Sequence, residues 1–125
     1  MTLREKLEFL RKVMDADVID VDIEAVKNKG LELSQNIGLS GECKAEARKN
    51  LENARLAALK ALEGKISPSV LLKMAEASCA DQVAMYEYAD RINAGITHQL
   101  DYLRSVLSLH KEERKAETQN SQFSA

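Results

Sequence analysis

Leu71, Ala75, Ser78, Gln82, Met85, Ala89, Ile92, Ile96, Gln99, Leu103, Val106 and His110 stand at alternating steps of four and three within the stretch 67–115. That spacing keeps one apolar stripe on one side of a helix and is the signature of coiled-coil packing. Ser67-Pro68 opens the stretch. Serine is a helix cap, and proline suits the first helical turn, where its missing N–H is not needed. The seam stays in phase through Asn93-Ala94-Gly95, so the reading is one helix over about 68–115, bent if anywhere at that point. Thr118 to Ala125 is polar and reads as a disordered tail.

Working toward the N-terminus, Gly64 stops a helix over about 41–63. Its stripe is narrow: Cys43, Ala47, Leu51, Ala54, Ala58 and Ala61. Alanines on a seam permit a short distance between helix axes. Gly38-Leu39-Ser40-Gly41 reads as a loop, with Gly38 ending the previous helix and Ser40 capping the next. The previous helix, about 18–37, carries Ile19, Ile23, Val26, Gly30, Leu33 and Ile37 at steps of four and three. Gly30 there costs about 1 kcal/mol against alanine and leaves room for a close neighbour. The first helix, about 3–14, begins with Thr2-Leu3-Arg4-Glu5, the pattern of a capping box. Leu3, Leu7, Leu10 and Val13 or Met14 form its apolar face, broadened by Phe9.

The whole chain has 125 residues, 18 Lys and Arg, 20 Asp and Glu, five glycines, one proline and no tryptophan. That is enough for one domain with a modest core. The scarcity of aromatic and turn residues excludes a β sandwich or barrel. The expected fold is therefore all-α: an antiparallel helical hairpin or bundle with a long C-terminal coiled-coil helix, residues 1–117 forming a single domain. Residues 41–64 should pack on the first half of 68–115. The seam of the second half must then be covered by the N-terminal helices or by another chain. The residues at stake are Met85, Ala89, Ile92, Ile96, Gln99, Leu103 and Val106. Leaving large aliphatic side chains exposed forfeits about 1.5–3 kcal/mol each, which points to self-association, a dimer above other states. Gln82 and Gln99 on this seam either fix register by bonding each other or lie where the seam drifts to the surface.

Charge narrows the partners. Residues 1–40 sum to -2, 41–64 to +1 and 65–125 to -1, so no segment is strongly basic. The most basic set is Lys44, Arg48, Lys49, Arg55 and Lys60. Glu42, Glu46 and Glu52 interleave with it at helical spacing, which is the pattern of a solvated face. Nucleic acid is thus a less favoured partner than protein. No apolar run approaches membrane-spanning length, and the charged start Met1 to Lys6 is unlike a signal peptide. Cys43 and Cys79 form neither a disulfide framework nor a C-x-x-C pair, which fits a reducing cytoplasm.

Three places in the chain carry residue types that could serve catalysis or hold a metal. Asp15, Asp17, Asp20 and Asp22 place no glycine at the sixth position of a calcium loop, and read better as helix caps. His98 and His110 lack the glutamate three residues earlier that a di-iron helix pair requires. His98, Asp101 and Tyr102 share a helix face near Arg104, an arrangement usual for surface hydrogen bonding. No phosphate loop, nucleophile elbow or zinc spacing is present. The expectation is a protein without enzymatic activity, metal or cofactor.

Two stretches carry a resemblance. Ser40-Gly41-Glu42-Cys43-Lys44-Ala45-Glu46-Ala47-Arg48-Lys49 resembles the helix-opening junction of small all-helical phage and prophage early-region proteins. His98-Gln99-Leu100-Asp101-Tyr102-Leu103-Arg104-Ser105-Val106-Leu107-Ser108, with Lys111-Glu112-Glu113, resembles their closing helix. The likeness covers roughly residues 41–115. It implies a phage setting in a bacterial cytoplasm, near replication and recombination functions, and carries over no site residues. The expected roles are an accessory factor acting by protein–protein binding, an inhibitor of a host or defence enzyme, or an oligomeric single-stranded nucleic-acid accessory.

Overall fold

The computed structural model describes residues 1–16 and 22–123. Four helices follow one another: α1 (Leu3–Asp15), α2 (Ile23–Leu62), α3 (Pro68–Ser78) and α4 (Ala80–Phe123). The described residues form no strand, and no helix is long and apolar enough to cross a membrane. Asp17, Ile19 and Asp20 lie outside the described residues, as does most of the stretch Val18 to Ile23 that alternates like a strand.

α1 starts as its sequence dictates. The Glu5 amide donates to Thr2 Oγ1 at 3.1 Å, and the Thr2 hydroxyl donates to Glu5 Oε1 at 3.2 Å. The glutamate thus reaches back to the hydroxyl instead of the backbone amide. Asp22 caps α2 by accepting from the Glu24 and Ala25 amides at 3.1 and 3.3 Å. Asp15 pairs with Arg11 at 3.4 Å. Asp22 and Asp15 therefore serve a helix end and surface pairing, where a carboxylate satisfies orphan amides or a nearby cation.

The expected break at Gly38-Leu39-Ser40-Gly41 does not occur. α2 is one 40-residue helix where two, 18–37 and 41–63, were expected. The reason is phase. From Ile37 the seam steps by three to Ser40, by three to Cys43 and by four to Ala47, so both apolar stripes lie on one face. Ser40 is fully buried; its hydroxyl donates to the Ile37 carbonyl at 2.9 Å and accepts from Asn93 Nδ2 at 2.8 Å. Neither Gly38 nor Gly41 has positive φ. Their helix penalty, about 1 kcal/mol each, is outweighed by burial along the shared face.

Gly64 (φ 76°) does end α2, and Pro68 does open α3. Ser67 makes no capping bond with its side chain; its hydroxyl lies 3.2 Å from that of Ser69. The long helix expected from Pro68 to Lys115 is divided, at Cys79 and not at Asn93-Ala94-Gly95. The Ser78 hydroxyl donates to the Ala75 carbonyl at 2.8 Å, and the Cys79 amide donates to the Glu76 carbonyl, three residues back. These tightened local bonds replace the regular ladder for one turn. Beyond it α4 runs to Phe123, so the segment expected as a disordered tail from Thr118 is helical that far.

α2 lies antiparallel to α3 and α4 in a constant register. Lys44 pairs with Asp90 at 2.9 Å, Asn93 reaches Ser40, and Arg55 pairs with Glu76 at 2.6 Å. Residues 41–62 therefore face α3 and the start of α4, as expected. Residues 23–40 face the second half of the seam. α1 packs across both long helices there. The result is a three-helix section, a two-helix arm formed by the end of α2 with α3, and a projecting end of α4 whose residues 111–120 are exposed.

Candidate functional site

The seven seam residues are core, not an open interface. Ala89, Ile92, Ile96 and Leu103 are buried, and Met85, Gln99 and Val106 are partly buried. Leu7, Leu10 and Val13 of α1, with Val26, Leu33, Cys43 and Ala47 of α2, share one apolar cluster with them. Of the two covers expected for this seam, the N-terminal helices or another chain, the first is found: α1 and the first half of α2 cover it within the chain.

Gln99 does not bond Gln82, nor has it drifted to the surface. Its Nε2 donates to the Met14 carbonyl at 2.9 Å. Lys29, buried to 8% exposure, donates to the carbonyls of Val13 and, at 2.8 Å, Ala16. The last carbonyls of a helix lack partners within it and carry its negative end, so a cation there satisfies both needs. Together these two side chains clamp the end of α1 to α2 and α4. A pocket of about 390 Å³ beside them is lined by polar and apolar groups, among them Met14, Asp15, Lys29, Gln99 and Leu103. The close approach expected at Gly30 is found instead at Gly95. Gly30 has open space around it, whereas a Cβ on Gly95 would collide with the Met14 sulfur.

The polar flank of α1 faces α4 across a cleft of about 890 Å³. Arg4, Glu8, Arg11 and Asp15 line one side, and Asp81, Met85 and Tyr88 the other. Hydrogen bonding to Tyr88, and then to Asp15, holds the Arg11 guanidinium above its ordinary affinity for protons. Among the described residues no group of three or more His, Cys, Asp or Glu is placed to hold a metal. His98 is exposed, and Asp101 is held by Arg104 at 3.5 Å. That geometry is surface pairing of the kind common at steps of three along a helix.

Part of the charge on the remaining surface is tied down in ion pairs. Of the five most basic residues in the middle of the chain, Lys44 pairs with Asp90, Arg48 with Glu52 and Arg55 with Glu76. The Asp90 carboxylate beside Lys44 raises its proton affinity above the ordinary lysine value. The thiols of Cys43 and Cys79 are free and buried, and burial pushes the Cys43 thiol up.

The arm is different. Leu56 (53% exposed), Val70 (42%), Leu72 (65%) and Met74 (43%) are all on it. Its deep positions are few: Leu51, Ala75 and Cys79. A pair of helices buries only the facing stripe of each, so apolar residues beside the stripe stay in water. The seam of fours and threes makes Leu56 a neighbour of the α2 stripe and leaves Val70, Leu72 and Met74 unassigned. Their signal was apolar side chains outside the steps of four and three, in a hairpin with no third helix beside it. No protein-family model, curated protein or solved structure matches the chain.

Proposed function

We propose that the chain is a non-enzymatic accessory protein that works by binding another protein through its two-helix arm. The observation that carries this reading is the share of large apolar side chains left exposed on the arm, at Leu56, Val70, Leu72 and Met74. Single exposed leucines are ordinary, but apolar residues gathered on one projecting element are typical of interaction surfaces. The paired cations at Lys44, Arg48 and Arg55 favour protein over nucleic acid as the partner. The resemblance over residues 41–115 supplies the setting. The chain acts in the cytoplasm of a bacterial host, on phage replication or recombination machinery, or as an inhibitor of a host or defence enzyme. Both roles use the same surface physics. A dimer remains part of this reading, but through the arm and not through the Ile92 to Val106 seam.

The test is capture from infected cells with the full chain, beside a Leu72→Asp/Met74→Asp variant of unchanged helicity. Recovery of one replication, recombination or defence protein by the parent and not by the variant supports the reading. Equal recovery by both chains, or a salt-sensitive gel shift with single-stranded DNA and no protein captured, overturns it.

A further inference from the structure

Water reaches α1 along its flank and at both ends. The 890 Å³ cleft follows its polar side, the 390 Å³ pocket lies at its end, and a third pocket of about 360 Å³ lies at its start, beside Leu3, Arg4 and Asn50. Space beside a helix forfeits packing contacts, so the few close anchors of α1 carry its docking. One anchor, Met14, has chemistry of its own.

The Met14 sulfur occupies the place where any residue other than glycine at position 95 would carry its Cβ. The thioether therefore lies against the bare backbone of α4, a fit that leaves no space on that side. The side chain is only partly buried, and it lines the pocket shared with Lys29, Gln99 and Leu103. A small oxidant carried by water has a route to it. The Met14 carbonyl is also the acceptor for Gln99 Nε2 at 2.9 Å. One residue thus ties α1 to α4 through both its side chain and its backbone. The other methionines differ. Met1 and Met74 are exposed, where an added oxygen displaces nothing. Met85 is partly buried but lines the wide cleft, which has room for one.

We propose that Met14 is a sulfoxidation site through which a peroxide loosens α1. The peroxide transfers one oxygen to the sulfur: an S–O bond forms, the O–O bond breaks, the sulfur gives up two electrons, and the remainder leaves as water or an alcohol. The sulfoxide is larger than the thioether and strongly polar. It does not fit against Gly95, and pressed there it would lose its hydration without gaining a donor. The side chain turns out of the niche, the bond from Gln99 is strained, and the end of α1 lifts. Leu10, Val13 and Ile96 then open to water. This goes beyond the protein-binding reading and stands whatever the arm binds.

The test treats the full folded chain with hydrogen peroxide and locates the added oxygen by peptide mass. A Met74→Leu/Met85→Leu chain isolates the effect of Met14. Met14 should gain one oxygen, more slowly than Met74 does in the parent. Amide exchange across α1 should then quicken by about tenfold or more while the arm is unchanged. Methionine sulfoxide reductase with a dithiol should restore the protection, the thiols supplying two electrons and the oxygen leaving as water. Met14→Leu lacks the sulfur and should not respond to peroxide. Gly95→Ala, which fills the niche from the other side, should loosen α1 with no peroxide present. The proposal is overturned if Met14 stays unoxidised once Met74 is fully converted, or if oxidised Met14 leaves α1 exchange unchanged. It is equally overturned if Met14→Leu responds to peroxide as the parent does, if Gly95→Ala leaves α1 as protected as before, or if protection falls uniformly along the chain.

Discussion

The three-helix section and the two-helix arm are built on the same alternating steps, yet they bury their residues very differently. In the section, Leu7, Leu10, Leu33, Ile92 and Ile96 are almost entirely removed from water. In the arm, the deep positions are Leu51, Ala75 and Cys79, and larger side chains lie at the margins. Sequence periodicity sets which side of a helix faces a neighbour. The number of neighbours sets how much of that side becomes core. α1, only 13 residues long, is the whole difference between the two regions.

The largest expected effect separates the regions by one kind of substitution. Ile96→Ala should cost about 2–5 kcal/mol, the usual range for truncating a buried isoleucine. Leu72→Ala on the arm should fall within about 0.5 kcal/mol of the parent. Urea unfolding measures both; similar midpoints for the two variants would break the comparison. Next comes the clamp that creates the third helix. Lys29→Met leaves the Val13 and Ala16 carbonyls without their buried donor, at a cost of about 1–3 kcal/mol. Hydrogen exchange should show α1 opening more readily while the arm is unchanged. Uniform loss of protection would mean that α1 is not a separable third layer.

Glycine substitutions sharpen the contrast with opposite signs. Gly38→Ala and Gly41→Ala, in the section, meet nothing within 4 Å and have helical backbone. Each should stabilise by about 0.5–1 kcal/mol. Gly64→Ala, at the arm tip with φ 76°, should destabilise by about 1–2 kcal/mol. Calorimetric melting of the three variants reads the signs directly. The smallest effect is a pH dependence. Asp90 raises the Lys44 pKa above 10.5, so its folded value exceeds its unfolded one. The stability it lends is complete below that ordinary value and is lost as pH rises through the raised one. Asp90→Asn should remove this high-pH slope, seen as convergence of the two melting curves in alkaline buffer.

Much of the fold was legible in the residues themselves. The all-α class, the start at Thr2, the stop at Gly64 and the antiparallel pairing of 41–62 all follow from caps, glycine and periodicity. The break expected at Gly38 to Gly41 shows where local preference loses. Glycine and serine favour a loop, but Ile37, Ser40, Cys43 and Ala47 keep phase, and shared burial prevails. The division at Cys79 was invisible for the converse reason: the seam never slips there, and the Ser78 hydroxyl tightens the backbone without disturbing the stripe. The clamp at Lys29 and Gln99 joins residues from three helices, and no spacing rule reports a bond from residue 29 or 99 to the end of α1. The arm's exposed leucines were read as neighbours of a stripe because nothing in one sequence says how many helices will surround it.

The antiparallel register has a mechanical consequence. Asn93 bonds Ser40, which places Gly95 of α4 level with Gly38 of α2, and Gly41 lies one turn away. Both long members of the hairpin are thus thinnest at one cross-section, like a beam notched on both sides at the same height. α1 lies across that notch as a splint: Met14 rests against Gly95, and its end is pinned by Lys29 and Gln99. The splint thus covers the cross-section at which both long helices lack a side chain of their own.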